Sequence, residues 1–114
     1  MTEQPQRRLA TALIHAGGLR TALGETSEAL FLTSGFAYES AQQAEAAFTG
    51  EIERFQYSRF SNPTVAMLEA RLCEIEGAEA CRCTATGMAA VTAAMLAALK
   101  AGDRVVASRA LFGS

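Results

Sequence analysis

One lysine, one aspartate, one histidine and no tryptophan occur in the 114 residues of this chain. Three cysteines, Cys73, Cys81 and Cys83, form an odd set in which only Cys81 and Cys83 are closely spaced. A C-x-C pair without a neighbouring histidine or further cysteine is a poor zinc site, because a tetrahedral ion needs four ligands. The three are expected to be reduced, partly buried thiols of a cytoplasmic protein. The start, Met1-Thr2-Glu3-Gln4-Pro5, shows no basic stretch leading into an apolar core, so no signal peptide is expected. The longest apolar stretch, Met88 to Leu99, is interrupted by Thr92 and is too short to span a bilayer. A net charge of -2 gives no reason to expect nucleic acid or an anionic membrane as partner. Repeats, linkers and low-complexity tracts are also missing.

What is present is globular in character, with 50% hydrophobic and 19% charged residues. Nine of the ten basic residues are arginine, the better fork for phosphates and carboxylates. Leu9, Leu13 and Ala16 recur at helical spacing over residues 8–16, and Gly17-Gly18 stops that segment with His15 near its end. Residues 29–38 read as extended. Ser40 is placed to cap a short helix through Phe48 that Gly50 ends. Asn62 and Pro63 open the next helix, with Val65, Leu68, Leu72 and Ile75 as its apolar stripe and Gly77 as its stop. Residues 78–84 and 104–108 read as strands on either side of an Ala-rich helix over 87–100, with Lys100 in its last turn. That order is a βαβ unit, hence α/β and a parallel sheet. Two parallel strands cannot cover their own faces, so such a unit belongs to a larger sheet.

Two segments carry chemistry. Thr86-Gly87-Met88 stands at a strand-to-helix junction, where unpaired amides and the positive end of the helix dipole favour a phosphate. Glycine there lets the backbone approach an anion closely. In Tyr57-Ser58-Arg59, an extended backbone would put the phenol and the guanidinium on one face, converging on one anion.

The whole string Tyr57-Ser58-Arg59-Phe60-Ser61-Asn62-Pro63-Thr64, with Leu68-Glu69, the ending Leu72 to Gly77 and then Thr84 to Ala90, resembles the pyridoxal 5'-phosphate (PLP) enzymes of Cys/Met metabolism, the cystathionine γ-synthase family. The likeness runs from about Leu32 to Ser114. It implies a fold-type I, aspartate aminotransferase-like PLP enzyme. Residues 1–61 would form an N-terminal arm and a segment contacting the neighbouring subunit, and 62–114 the incomplete beginning of the large PLP-binding α/β domain. By the same resemblance, Tyr57 and Arg59 bind the cofactor phosphate of the neighbouring subunit, so the assembly is a homo-oligomer with shared active sites, a tetramer in this family. Gly87 and Met88 give backbone N–H groups to the phosphate of their own subunit, with Thr86 where the family often has serine. Phe112 stands where the family usually has a tyrosine stacked on the pyridine ring; the aromatic face is kept and the phenol is lost.

No catalytic residue is expected in this chain. PLP chemistry needs a lysine for the cofactor aldehyde and an acid facing the ring nitrogen. Lys100, at a helix end, and Asp103, opening a strand, suit neither role, and the family's lysine and aspartate would lie beyond Ser114. The reaction implied is γ-replacement on an O-acylhomoserine, with succinate leaving and sulfide or cysteine entering. Phe112-Gly113-Ser114 is more similar to the sulfur-replacing branch than to the lyases. A cystathionine γ-synthase, a β/γ-lyase of the same fold and a non-catalytic cofactor-site fragment remain open at this point.

Overall fold

A computed structural model describes residues 8–111. Four helices follow one another: α1 (Leu9–His15), α2 (Ala41–Thr49), α3 (Pro63–Glu76) and α4 (Gly87–Ala98). The chain divides into two compact units after Arg82.

Local hydrogen bonds explain where the helices of the first unit begin and end. The Ser40 hydroxyl accepts from Gln43 N at 3.1 Å to open α2, and Gly50 closes it at φ 80°. Asn62 Oδ1 accepts from Thr64 N at 2.9 Å to open α3, Pro63 fills the first helical position and Gly77 closes it at φ 62°. These ends agree with those read from the sequence.

The small core of this unit lies where α1 meets α3. Ala12, Ala16 and Met67 are buried there, and Arg71 Nε donates to the Ala16 carbonyl at 3.1 Å while its guanidinium pairs with Glu28. Gly17 sits so close to α3 that a Cβ on it would be 2.6 Å from Met67 O, 2.8 Å from Ala70 Cβ and 2.9 Å from Arg71 N. Gly17 therefore meets α3 at Met67, Ala70 and Arg71, of which Met67 is buried, Arg71 half-buried and Ala70 exposed. The stripe expected inside lies about a third of a turn away. Its members Val65 and Leu68 are 41% and 48% exposed, while Leu72 and Ile75 are half-buried. Apolar periodicity marks a face able to be buried; the glycine contact decides which face α1 takes.

Residues 33–36 run beside 56–58 through an antiparallel bridge between Gly35 and Tyr57. Ser58 N donates to Ser34 O at 2.9 Å and Phe36 N to Gln56 O at 3.3 Å. Arg54 braces the same region, its NH2 donating to Ala37 O at 2.7 Å and its guanidinium lying 4.6 Å from the centre of the Tyr38 ring.

In the second unit, Thr86 Oγ1 accepts from Ala89 N at 3.1 Å to open α4. The helix stops at Ala98, with Leu99 as its cap, so Lys100 lies beyond it rather than in its last turn. No strand is formed among the described residues, and the expected strands at 78–84 and 104–108 are absent. A strand exists only through the ladder of a neighbour, and neither segment has a ladder partner among the described residues. Val106 is accordingly 99% exposed. The α/β expectation is not met by these residues.

Candidate functional site

Each unit carries one cluster able to hold an anion, and each cluster is described by itself. In the first unit, Tyr57 leaves the bridge with Gly35 and the chain turns at once. The Tyr57 carbonyl accepts from Phe60 N at 2.9 Å and from Ser61 N at 3.2 Å. This corrects the extended backbone expected for Tyr57-x-Arg59. Strand alternation does not bring the two side chains together; the turn does. The Arg59 guanidinium carbon lies 5.3 Å from the centre of the Tyr57 ring and 5.6 Å from that of Phe60, and the two rings meet edge to face at 5.9 Å.

The electrostatic consequence is specific. Arg54, Arg71 and Arg82 are engaged with Ala37, Glu28 and Glu69 respectively. Arg59 is exposed and has no carboxylate or hydrogen-bond partner among the described residues. Its charge rests against two aromatic faces, which orient it without neutralising it. The Tyr57 side chain beside it is 42% exposed. A phenol and an unpaired guanidinium are thus available together to one anion.

Sequence reasoning missed what holds this turn. Asn62 is only 8% exposed, and besides capping α3 its Nδ2 donates to Ser58 Oγ and to Phe31 O, both at 2.9 Å. Ser58 also donates through its hydroxyl to Thr33 O. The signal available was the choice of an amide at the cap, since capping alone uses only an acceptor.

In the second unit, the Thr86 hydroxyl takes Ala89 N, and Ala90 N is taken by Thr86 O at 3.1 Å. The amides of Gly87 and Met88 are left without a partner among the described residues. They stand at the positive end of a 12-residue helix, worth roughly half a unit charge. Nothing lies within 4 Å of where a Gly87 Cβ would be, so this approach to the amides is open. Phe112 lies outside the described residues.

Both clusters fit a phosphate ester. One offers a full positive charge with a phenol, the other two bare amides with room for an oxygen. The only lysine and the only aspartate lie in one turn, joined through the Lys100 backbone rather than its amine. Lys100 N donates to Asp103 Oδ2 at 2.9 Å and Asp103 N to Lys100 O at 3.1 Å, across a surface turn that Gly102 makes at φ 94°. Among the described residues no group of three or more His, Cys, Asp or Glu side chains is placed to hold a metal, and no helix is long and apolar enough to cross a membrane.

Residues 10–114 match the family described as Cys/Met metabolism PLP-dependent enzyme, and the chain belongs to that family. The cofactor of the family is pyridoxal 5'-phosphate, and membership implies the fold-type I scaffold. Among curated relatives, an O-succinylhomoserine sulfhydrylase of Mycobacterium tuberculosis is 53% identical over 92% of the chain. One of Pseudomonas aeruginosa is 44% identical over 91%, and an L-methionine gamma-lyase of Treponema denticola is 36% identical over 91%. The chain spans 26% of the length of each of these relatives.

Proposed function

We propose that this chain is the opening portion of a PLP-dependent transferase that replaces the succinyl group of O-succinyl-L-homoserine with sulfide, giving homocysteine for methionine biosynthesis. The observation that carries this reading is the identity pattern, 53% and 44% to two sulfhydrylases against 36% to a γ-lyase over nearly the same residues. Residues 1–61 act as an arm toward the neighbouring subunit, and 62–114 begin the cofactor-binding domain of a cytoplasmic homotetramer. The helix α4 supports this, since a helix apolar but for Thr92 that buries none of its residues is suited to the interior of a larger α/β domain.

Within that assembly Tyr57 and Arg59 hold the phosphate of the neighbouring subunit's cofactor. Gly87 and Met88 hold that of their own subunit through their backbone amides, and Thr86 keeps those amides aimed by capping the helix without occupying them. Phe112 supplies an aromatic face for the pyridine ring. When bound, PLP supplies the electron sink for proton loss from the substrate carbons. The residues of this chain bind and orient; the lysine that anchors the cofactor and the acid facing its ring nitrogen are contributed beyond Ser114.

Replacing Arg59 by alanine in the full-length enzyme removes a charge-assisted contact of about 1.5–3 kcal/mol, so PLP retention should weaken by about ten- to a hundred-fold. Unchanged retention would remove the phosphate assignment. The relatives that are methionine γ-lyases favour elimination as the second reading. Release of a keto acid from the acylhomoserine without added sulfide, at the rate seen with it, would establish that reading.

A further inference from the structure

We infer that Asn62 is a positioning residue for the phosphate clamp, acting through Ser58 to set the spread of Tyr57 and Arg59. The inference rests on the reading of those two side chains as phosphate ligands.

Capping α3 uses only Asn62 Oδ1, which accepts from Thr64 N at 2.9 Å. Serine would serve the helix about as well. The amide donors are surplus to that task, and both are used: one reaches Phe31 O and the other Ser58 Oγ, each at 2.9 Å. Ser58 lies between the two clamp residues. It is held further by its own amide on Ser34 O at 2.9 Å and by its hydroxyl on Thr33 O. The Phe31 side of this frame is fixed a second time, because Phe31 N donates to Thr64 Oγ1 at 2.9 Å. The middle of the clamp is therefore tied to the first turn of α3 and to residues 31–34, while Tyr57 and Arg59 on either side stay exposed. A buried side chain whose polar atoms are all bonded is a rigid reference. Two flexible ligands need such a reference to meet one anion at hydrogen-bonding distance.

The test uses the apo form of the full-length enzyme and compares its affinity for PLP with that for pyridoxal, which lacks the phosphate. Asn62→Ser keeps a cap but removes the bonds to Ser58 and Phe31 O; Ser58→Ala removes the shared bond from the other end, together with the hydroxyl's bond to Thr33 O. Each is expected to weaken PLP binding on the order of ten-fold while leaving pyridoxal binding unchanged. The double variant should lose less than the sum of the two singles, because one bond is shared. Arg59→Ala is the control. A PLP-selective loss in Arg59→Ala with none in Asn62→Ser or Ser58→Ala overturns the positioning role and leaves the phosphate reading intact. An equal loss of PLP and pyridoxal in both variants also overturns it, showing general loosening. Silence of Arg59→Ala overturns the phosphate reading itself. Should Asn62→Ser fail to fold, Ser58→Ala alone decides.

Discussion

Among the glycines of the described residues, Gly17 is the one at which an added methyl group would clash. Its φ of 68° lies in the left-handed region, where a Cβ costs roughly 1–2 kcal/mol. A Cβ would also meet Met67 O at 2.6 Å and Arg71 N at 2.9 Å, both backbone atoms of α3 that cannot swing aside. The α1 helix would have to move away, uncovering Ala12, Ala16 and Met67 and stretching the Arg71 bond to Ala16 O. Overpacking of this kind costs about 1–3 kcal/mol, so Gly17→Ala should destabilise the docking of α1 by about 2–5 kcal/mol. Gly24 provides the matched control, with φ 70° and nothing within 4 Å of its would-be Cβ. Gly24→Ala carries the backbone cost alone. Amide hydrogen exchange across α1 reads the difference, because local opening reports docking directly. Protection of the Ala16 amide, bonded to Ala12 O at 2.8 Å, should fall by at least about thirty-fold in Gly17→Ala. It should be nearly unchanged in Gly24→Ala. Equal effects at the two glycines would refute the close-packing argument.

Gly87→Ala should separate folding from binding. With open space around it and a better helix former introduced, stability should hold or rise by up to about 1 kcal/mol, while PLP retention falls; paired thermal melts and cofactor titrations check this. Thr86→Ala should remove the cap on Ala89 N and cost α4 about 1 kcal/mol, read as faster amide exchange in its first turn. Glu25 carries the pH prediction: hydrogen bonds from the Thr21 amide, then its hydroxyl, hold the carboxyl below the usual glutamate range. A depressed folded value means the turn is fully supported above the ordinary glutamate pKa, about 4.3, and is lost as pH falls through the lower value. The Thr21 amide shift followed by NMR should therefore titrate below that ordinary value, and a midpoint at or above it would contradict the hydrogen bonds.

The ends of the helices were legible in the chain itself because they are set by contacts three or four residues long. Ser40 to Gln43, Asn62 to Thr64 and Thr86 to Ala89 are such contacts, as are the left-handed stops at Gly50 and Gly77. The cofactor family was legible for a related reason, since the Tyr-Ser-Arg-x-x-Asn-Pro-Thr string that carries it is local. Other features needed the folded chain. Where α1 meets α3 depends on Gly17 and on a bond from Arg71 to Ala16, 55 residues away in sequence. That Tyr57 and Arg59 converge through a turn depends on the bridge to Gly35 and on Asn62 reaching Phe31, 31 residues away. No strand forms at 78–84 or 104–108 among the described residues because β-propensity describes a segment, whereas a strand is a relation between two. Distance along the chain separates the two classes: what neighbours decide can be read in order, and what remote segments decide exists only once they meet.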